Sequence, residues 1–138
     1  NEGFYITPHL NKHDSMLTKV HKAKVDKKYF PIVNEGMWRV FEYGTGRHYK
    51  IPNTSMCGKT GTVQNNHGKD HSLFVGFAPR EKPKIAIAVV VENAGFGATW
   101  AAPISSLMME QYLYGKIERT DLLERMTTSV TNANVKER

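Results

Sequence analysis

The stretch Gly58-Lys59-Thr60-Gly61-Thr62, together with the two strand-like runs that follow it at 72–78 and 84–92, indicates the fold of this chain. Both runs are rich in residues that favour strands, and turn residues separate them at 65–71 and 79–83. We therefore predict three antiparallel strands. A lysine and two hydroxyls on a strand with so little side-chain bulk suit the wall of a cleft that binds a carboxylate.

Two helices are predicted to flank these strands. The first begins near Asp26, a favourable N-cap, and ends at 44–46, where glycine readily takes the positive φ of a helix stop. The second begins between Ala98 and Ala102 and runs to about Tyr114. The predicted buried faces are Phe30, Val33, Met37, Val40 and Phe41 on the first helix and Trp100, Ile104, Leu107 and Met108 on the second. Trp38 is also expected in the core.

The order of these elements predicts an α+β fold, an antiparallel sheet of three strands flanked by helices. Because the run 85–91 is continuously apolar, we expect a central strand covered on both faces. Residues 3–10 indicate a short extended segment, and the polar residues 11–28 a loop or a weak strand pair. We assign 1–115 to one domain and 116–138 to a polar tail, with a short helix near 122–126 and then disorder.

Charge and composition narrow the possible partners. The formal net charge is +6, which favours anionic partners, but no run of five or more basic residues occurs. We therefore expect a solvated basic surface. The aromatic residues fall mostly in apolar runs, whereas a nucleic-acid module would interleave them with a basic stripe, so no nucleic-acid partner is predicted. No apolar run approaches the roughly 20 residues that a membrane helix needs.

Cysteine and histidine indicate no further chemistry. Cys57 is the single cysteine, so no intrachain disulfide forms. On a strand it shares a face with Lys59, and we expect a small buried residue there, not a catalytic thiol. The six histidines lack the spacing of metal ligands, and His67 and His71 are expected at the surface. No metal and no cofactor is predicted.

Two other interpretations of the lysine stretch were weighed on the residues alone. A phosphate-binding P-loop needs a glycine at position 53 and a helix after the lysine. Position 53 is Asn, and 63–65 continue as strand or turn, which excludes that loop. A purely structural strand, with glycines that allow close packing and a solvated lysine, stays open on these four residues.

The surrounding sequence resembles a known family. Lys-Thr-Gly is a signature of penicillin-recognising serine enzymes. Over roughly residues 1–115, the chain is similar in order and spacing to the C-terminal half of the transpeptidase domain of class B penicillin-binding proteins, those of the penicillin-binding protein 2 type in particular. The stretches that carry the resemblance are GFYITPH at 3–9, VNEGM at 33–37, GTG at 44–46, GKTGTVQ at 58–64, HSLFVGFAP at 71–79, GFG at 95–97 and AAP at 101–103.

The resemblance implies roles for the lysine stretch in acyl transfer through a serine ester. Lys59 would supply positive charge and a hydrogen bond to the catalytic network. The hydroxyls of Thr60 and Thr62 would hold the carboxylate of a β-lactam or of a peptide stem that ends in D-Ala-D-Ala. The backbone N–H of Thr62 would be one oxyanion donor. Gly61 would let the ligand lie flat along the strand, beside which an extended stem could pair.

The family's nucleophile motif is missing from these 138 residues. Three residues after the six serines come Thr18, Gly58, Val75, Met108, Met109 and Asn132, so no Ser-x-x-Lys is present. Two residues after them come Leu17, Cys57, Phe74, Leu107, Met108 and Thr131, so Ser-x-Asn is absent as well. We expect this chain, which starts at Asn1, to be a fragment whose nucleophile lies upstream, and we expect the isolated chain to be catalytically silent.

The resemblance also implies partners and a location. The upstream half of the transpeptidase domain would pair with the strand at 85–91, and without it an exposed edge could cause dimerisation. The intact protein would lie on the periplasmic face of the bacterial inner membrane, with its anchor outside this chain. Two alternatives differ in function class: a non-catalytic β-lactam-sensing or scaffold domain of the same fold, and an unrelated small binding module.

Overall fold

A computed structural model describes residues 3–8 and 20–129. The chain divides into two compact units, residues 1–34 and 35–138. In the first unit, β1 (Phe4–Ile6) pairs antiparallel with β2 (Val20–Lys22). The Tyr5 ring stacks on the His21 ring across this pair, with 4.9 Å between centroids. The extended segment is confirmed where its residues are described, and the strand at 20–22, within the region predicted as a loop or weak strand pair, pairs with that segment. Residues 9–19 lie outside the described residues.

Helix α1 (Phe30–Glu42) begins four residues after the predicted start near Asp26. A 3-10 turn, Lys27–Tyr29, precedes it, and the Asp26 carboxylate caps that turn by accepting the Lys28 backbone N–H at 3.1 Å. The predicted apolar face is only partly correct. Phe41 is buried and Met37 and Val40 are half-buried, but Val33 is exposed.

The end of α1 has a different cause from the one predicted. Neither Gly44 nor Gly46 has a positive φ. The chain instead folds back over the last turn of the helix, and the Gly46 N–H donates to the Val40 carbonyl at 3.0 Å. A Cβ on Gly44 would lie 2.9 Å from the Val40 Cα, a distance that real Cβ atoms do not reach. The glycine is needed for close approach, not for a left-handed conformation.

The second unit contains the predicted three-stranded antiparallel sheet. Its strands are β3 (Cys57–Val63), β4 (His71–Ala78) and β5 (Ile85–Val91), in the spatial order β3-β4-β5. Within the described residues β5 is an edge strand, not the central strand expected. Its residues alternate between half-buried and exposed, so one face is covered and the other is open.

Helix α2 (Ala101–Tyr114) packs on β4 and β5, and Gly115 ends it with a φ of 72°. The predicted buried face is wrong in phase: Leu107 is buried, but Met108 is 52% exposed. The buried residues of the helix include Ala102, Ser105, Ser106 and Met109. These residues follow i, i+3, i+4, i+7 spacing, and the small ones among them let the helix approach closely.

The core lies between α2, the end of α1 and the covered face of the sheet. The Phe41 and Phe74 rings meet edge to face, with 5.9 Å between centroids. Trp38 and Trp100, expected in the core, are only half-buried, and the Arg80 guanidinium lies 5.0 Å from the Trp38 ring. A final helix, α3 (Thr120–Thr128), follows α2, as the sequence predicts.

Candidate active site

Strand β3 presents the predicted site residues on its two faces. In the β3–β4 register Gly58 lies opposite Gly76, Thr60 opposite Phe74 and Thr62 opposite Ser72. Because side chains alternate along a strand, Thr60 and Thr62 share one face while Lys59 and Gly61 lie on the other. Lys59 and Thr62 are exposed, and Thr60 and Gly61 are half-buried. All four lie on a strand that, among the described residues, pairs on one side only.

The structure adds a hydroxyl that sequence reasoning did not assign to the site. The Thr45 Oγ1 lies 3.1 Å from the Thr60 Oγ1, within hydrogen-bond distance. Thr45 is exposed and stands in the fold-back that follows α1. The sequence signal for it was the Gly-Thr-Gly stretch at 44–46, which was interpreted only as a helix end.

The charged side chain of Lys59 is exposed on this strand. Its Nζ donates to the Thr60 carbonyl at 2.7 Å. No ion pair joins it to a carboxylate within 3–8 and 20–129. The ammonium therefore keeps donor capacity for an anionic ligand.

Two glycines in and beside the strand have a packing cause. A Cβ on Gly58 would lie 2.3 Å from the Phe74 ring, so that ring occupies the space of a side chain. A Cβ on Gly97 would lie 2.4 Å from the Gly61 carbonyl oxygen and 2.5 Å from that of Leu73. The absence of a side chain at Gly58 therefore makes room for a core residue, so ligand access is only part of the reason why β3 has small side chains.

Cys57 is fully buried at the start of β3, on the same face as Lys59. Burial raises the pKa of its thiol from 9.0 to about 11, mainly because a thiolate would lose its hydration there. The thiol is therefore protonated at neutral pH. This confirms a small buried residue and argues against a thiolate nucleophile.

The described serines near the sheet and α2 serve packing and turns. The buried Ser72 hydroxyl donates to the Phe96 carbonyl and accepts the Ala101 N–H, both at 3.0 Å. It thereby fixes the loop before α2 to the sheet. The Ser105 hydroxyl donates to the Ala101 carbonyl at 2.7 Å.

The histidines after β3 also have local roles. The Asn93 N–H donates to the Nδ1 of the half-buried His71 at 3.0 Å, and His67 is exposed in the turn. Among the described residues no group of three His, Cys, Asp or Glu side chains could hold a metal ion. A search of the same residues finds no helix long and apolar enough to cross a membrane.

Residues 1–110 match the sequence family described as the penicillin-binding protein transpeptidase domain. The chain therefore belongs to the penicillin-binding protein transpeptidase family, and the resemblance drawn from the motifs is confirmed. It is 34% identical to the peptidoglycan D,D-transpeptidase MrdA of Acinetobacter baumannii over 137 residues, which cover 82% of this chain and 20% of that protein.

Solved structures agree with the assignment. The crystal structure of Pseudomonas aeruginosa PBP2 in complex with WCK 5153 aligns with a TM-score of 0.63 at 33% identity, over 75% of this chain and 24% of that chain. An imipenem acyl-enzyme complex of penicillin-binding protein A from M. tuberculosis aligns with a TM-score of 0.59 at 29% identity, over 70% and 22%. The chain thus spans about a fifth to a quarter of the proteins it matches.

Proposed function

We propose that this chain is the C-terminal part of the transpeptidase domain of a peptidoglycan D,D-transpeptidase, which cross-links cell-wall peptide stems through a serine acyl-enzyme. The observation that carries the proposal is strand β3. It exposes Lys59 and Thr62 on a strand with one unpaired side among the described residues, inside a family match that covers 1–110.

The substrate group that β3 would hold is the terminal carboxylate of a D-Ala-D-Ala stem or the carboxylate of a β-lactam. Thr60 and Thr62 place two hydroxyls on one face, and the Thr45 hydroxyl, 3.1 Å from that of Thr60, can donate to it and so leave the Thr60 proton for the carboxylate. A carboxylate offers about four acceptor positions, so it can accept several hydroxyl donors at once. Hydrogen bonds to a charged acceptor are about twice as strong as neutral ones.

Lys59 and the Thr62 backbone would serve the chemical step. The exposed Lys59 ammonium would supply positive charge to the cleft and a hydrogen bond to the catalytic network. The family resemblance assigns the Thr62 N–H as one oxyanion donor. Gly61 carries no side chain, so the ligand can lie flat along the strand while an extended stem pairs beside its edge.

The nucleophile would come from polypeptide outside these 138 residues, because no Ser-x-x-Lys and no Ser-x-Asn occurs within them. We place it in the upstream half of the domain, within a longer parent protein anchored in the inner membrane and facing the periplasm. The Acinetobacter baumannii relative is named a D,D-transpeptidase, and the matched residues are 20% of its length, which supports a longer parent of that kind.

The test is covalent labelling of the parent protein by a fluorescent penicillin. Lys59→Ala should lower the second-order rate constant of acylation by about 100-fold or more, the usual loss when one stabilising donor is removed. The matched control is Lys82→Ala, which changes an exposed lysine in the β4–β5 turn and should label at the wild-type rate. Equal labelling of Lys59→Ala and wild type would overturn the role of β3, and an unlabelled wild type would overturn the activity.

A further inference from the structure

The Arg119 guanidinium ties three parts of the second unit together. Its Nε donates to the Glu110 carboxylate at 3.0 Å, its Nη1 to the Tyr49 carbonyl at 2.9 Å and its Nη2 to the Ser106 carbonyl at 3.1 Å. The Arg119 side chain is 16% exposed and that of Glu110 is 4% exposed. One planar group thus joins α2, the start of α3 and the segment after α1, a task for which arginine is suited.

The segment held at the Tyr49 carbonyl also carries Thr45. A 3-10 turn, Arg47–Tyr49, follows the fold-back, and the Tyr49 N–H donates to the Gly46 carbonyl at 2.9 Å. Thr45 directly precedes Gly46, and its hydroxyl lies 3.1 Å from that of Thr60 on β3. A continuous series of short contacts therefore runs from Arg119 to the carboxylate-binding strand.

Glu110 and α3 fix Arg119 at its own end. The Glu110 carboxylate also accepts the Glu118 backbone N–H at 3.3 Å, so both of its oxygens are engaged. From the next turn of α3, the Arg125 guanidinium lies 5.6 Å from the centre of the Tyr49 ring. The 47–49 turn is thus held at its carbonyl and at its ring, and removal of Arg119 would leave a buried carboxylate without its ion pair.

We propose that Arg119 is a positioning residue for the active site: through the 47–49 turn it holds the Thr45 hydroxyl against Thr60, and so orients the carboxylate-binding face of β3. This inference rests on the proposed function. It gives the region after α2 a part in substrate positioning that the sequence does not indicate. Binding groups placed imprecisely by even 1 Å slow catalysis strongly.

The test is a double-mutant cycle in the parent protein, read as rate constants for acylation by a fluorescent penicillin. Arg119→Gln should lower the rate constant by on the order of ten-fold. In a Thr45→Val background the same change should have an effect of less than about two-fold, because the contact through which Arg119 acts is already lost. The matched control is Arg39→Gln, which removes an arginine from an exposed ion pair with Glu35 and should leave the rate unchanged.

A purely structural role predicts a different pattern. The effect of Arg119→Gln on acylation would then multiply with that of Thr45→Val; this result would overturn the proposal, as would acylation of Arg119→Gln at the wild-type rate. Should Arg119→Gln fail to fold, Arg119→Lys enters the same cycle, because lysine keeps the charge for Glu110 but cannot reach both carbonyls. Loss of labelling in Lys59→Ala alongside multiplicative Arg119 effects would overturn only the positioning role. An unlabelled wild type would overturn both proposals.

Discussion

Gly97 and Gly61 meet through their main chains, and this contact joins the loop before α2 to the Lys59 strand. The Cβ that Gly97 lacks would lie 2.4 Å from the Gly61 carbonyl oxygen. On the same strand the Phe74 ring fills the space beside Gly58. The sequence shows that both positions are glycines, which suit close packing, but the residues that they contact are 16 or more positions away. Only the folded chain shows which contact each one permits.

We expect Gly97→Ala to destabilise the chain by about 1–3 kcal/mol or more, because both close neighbours are backbone atoms that cannot move aside. Gly36→Ala is the matched control. A Cβ at Gly36, inside α1, would meet nothing within 4 Å, so alanine should stabilise by about 0.5–1 kcal/mol. The measurement is the free energy of unfolding in urea for the two variants and the unmodified 138-residue chain. Equal stability of Gly97→Ala and the unmodified chain would contradict the contact.

Among the helices and strands, features that depend on neighbouring residues follow from the sequence, whereas features that depend on distant contacts do not. Strand propensity and turn residues are local, so β3, β4, β5 and the turns between them follow from the sequence. The Asp26 cap is local as well. The buried face of α2 does not follow from local signals. It depends on which small residues let the helix pack closely on the sheet, and Met108 is exposed. The contact of Thr45 with Thr60 depends on the fold-back after α1, and the Gly-Thr-Gly stretch at 44–46 indicates a helix end there but not the distant partner of Thr45.

Among the described residues, β5 has an unpaired edge and an open face, and these predict association of the chain. Val90 is 59% exposed on this strand, so the isolated chain should dimerise through it. Val90→Lys should weaken dimerisation by ten-fold or more, roughly 1.4 kcal/mol, because the dimer would have to bury a charge. Val25→Lys, at a loop position that is 54% exposed, should leave it unchanged. Sedimentation velocity over a range of concentrations measures both; a monomeric unmodified chain would refute the prediction.

For the whole molecule, the order of the motifs predicts the family, whereas the arrangement of the candidate site depends on tertiary contacts. The spaced motifs over 1–115 predict the penicillin-binding protein transpeptidase family, and the match over 1–110 confirms it. The hydrogen bonds of the Arg119 guanidinium could not be predicted, because its partners Tyr49, Ser106 and Glu110 lie 70, 13 and 9 positions away. The roles of Lys59, Thr60, Gly61 and Thr62 remain proposals that rest on one strand of known geometry.

In the proposed function, this chain supplies one side of an active site whose nucleophile lies elsewhere in a longer protein. The most direct measurement is to acylate the parent protein with a fluorescent penicillin, digest it and locate the adduct by mass spectrometry, with the isolated 138-residue chain treated in parallel. We predict an ester on a serine of a Ser-x-x-Lys sequence outside these residues, and no label on the isolated chain after denaturation. An adduct on any residue of this chain, in either protein, would contradict the account.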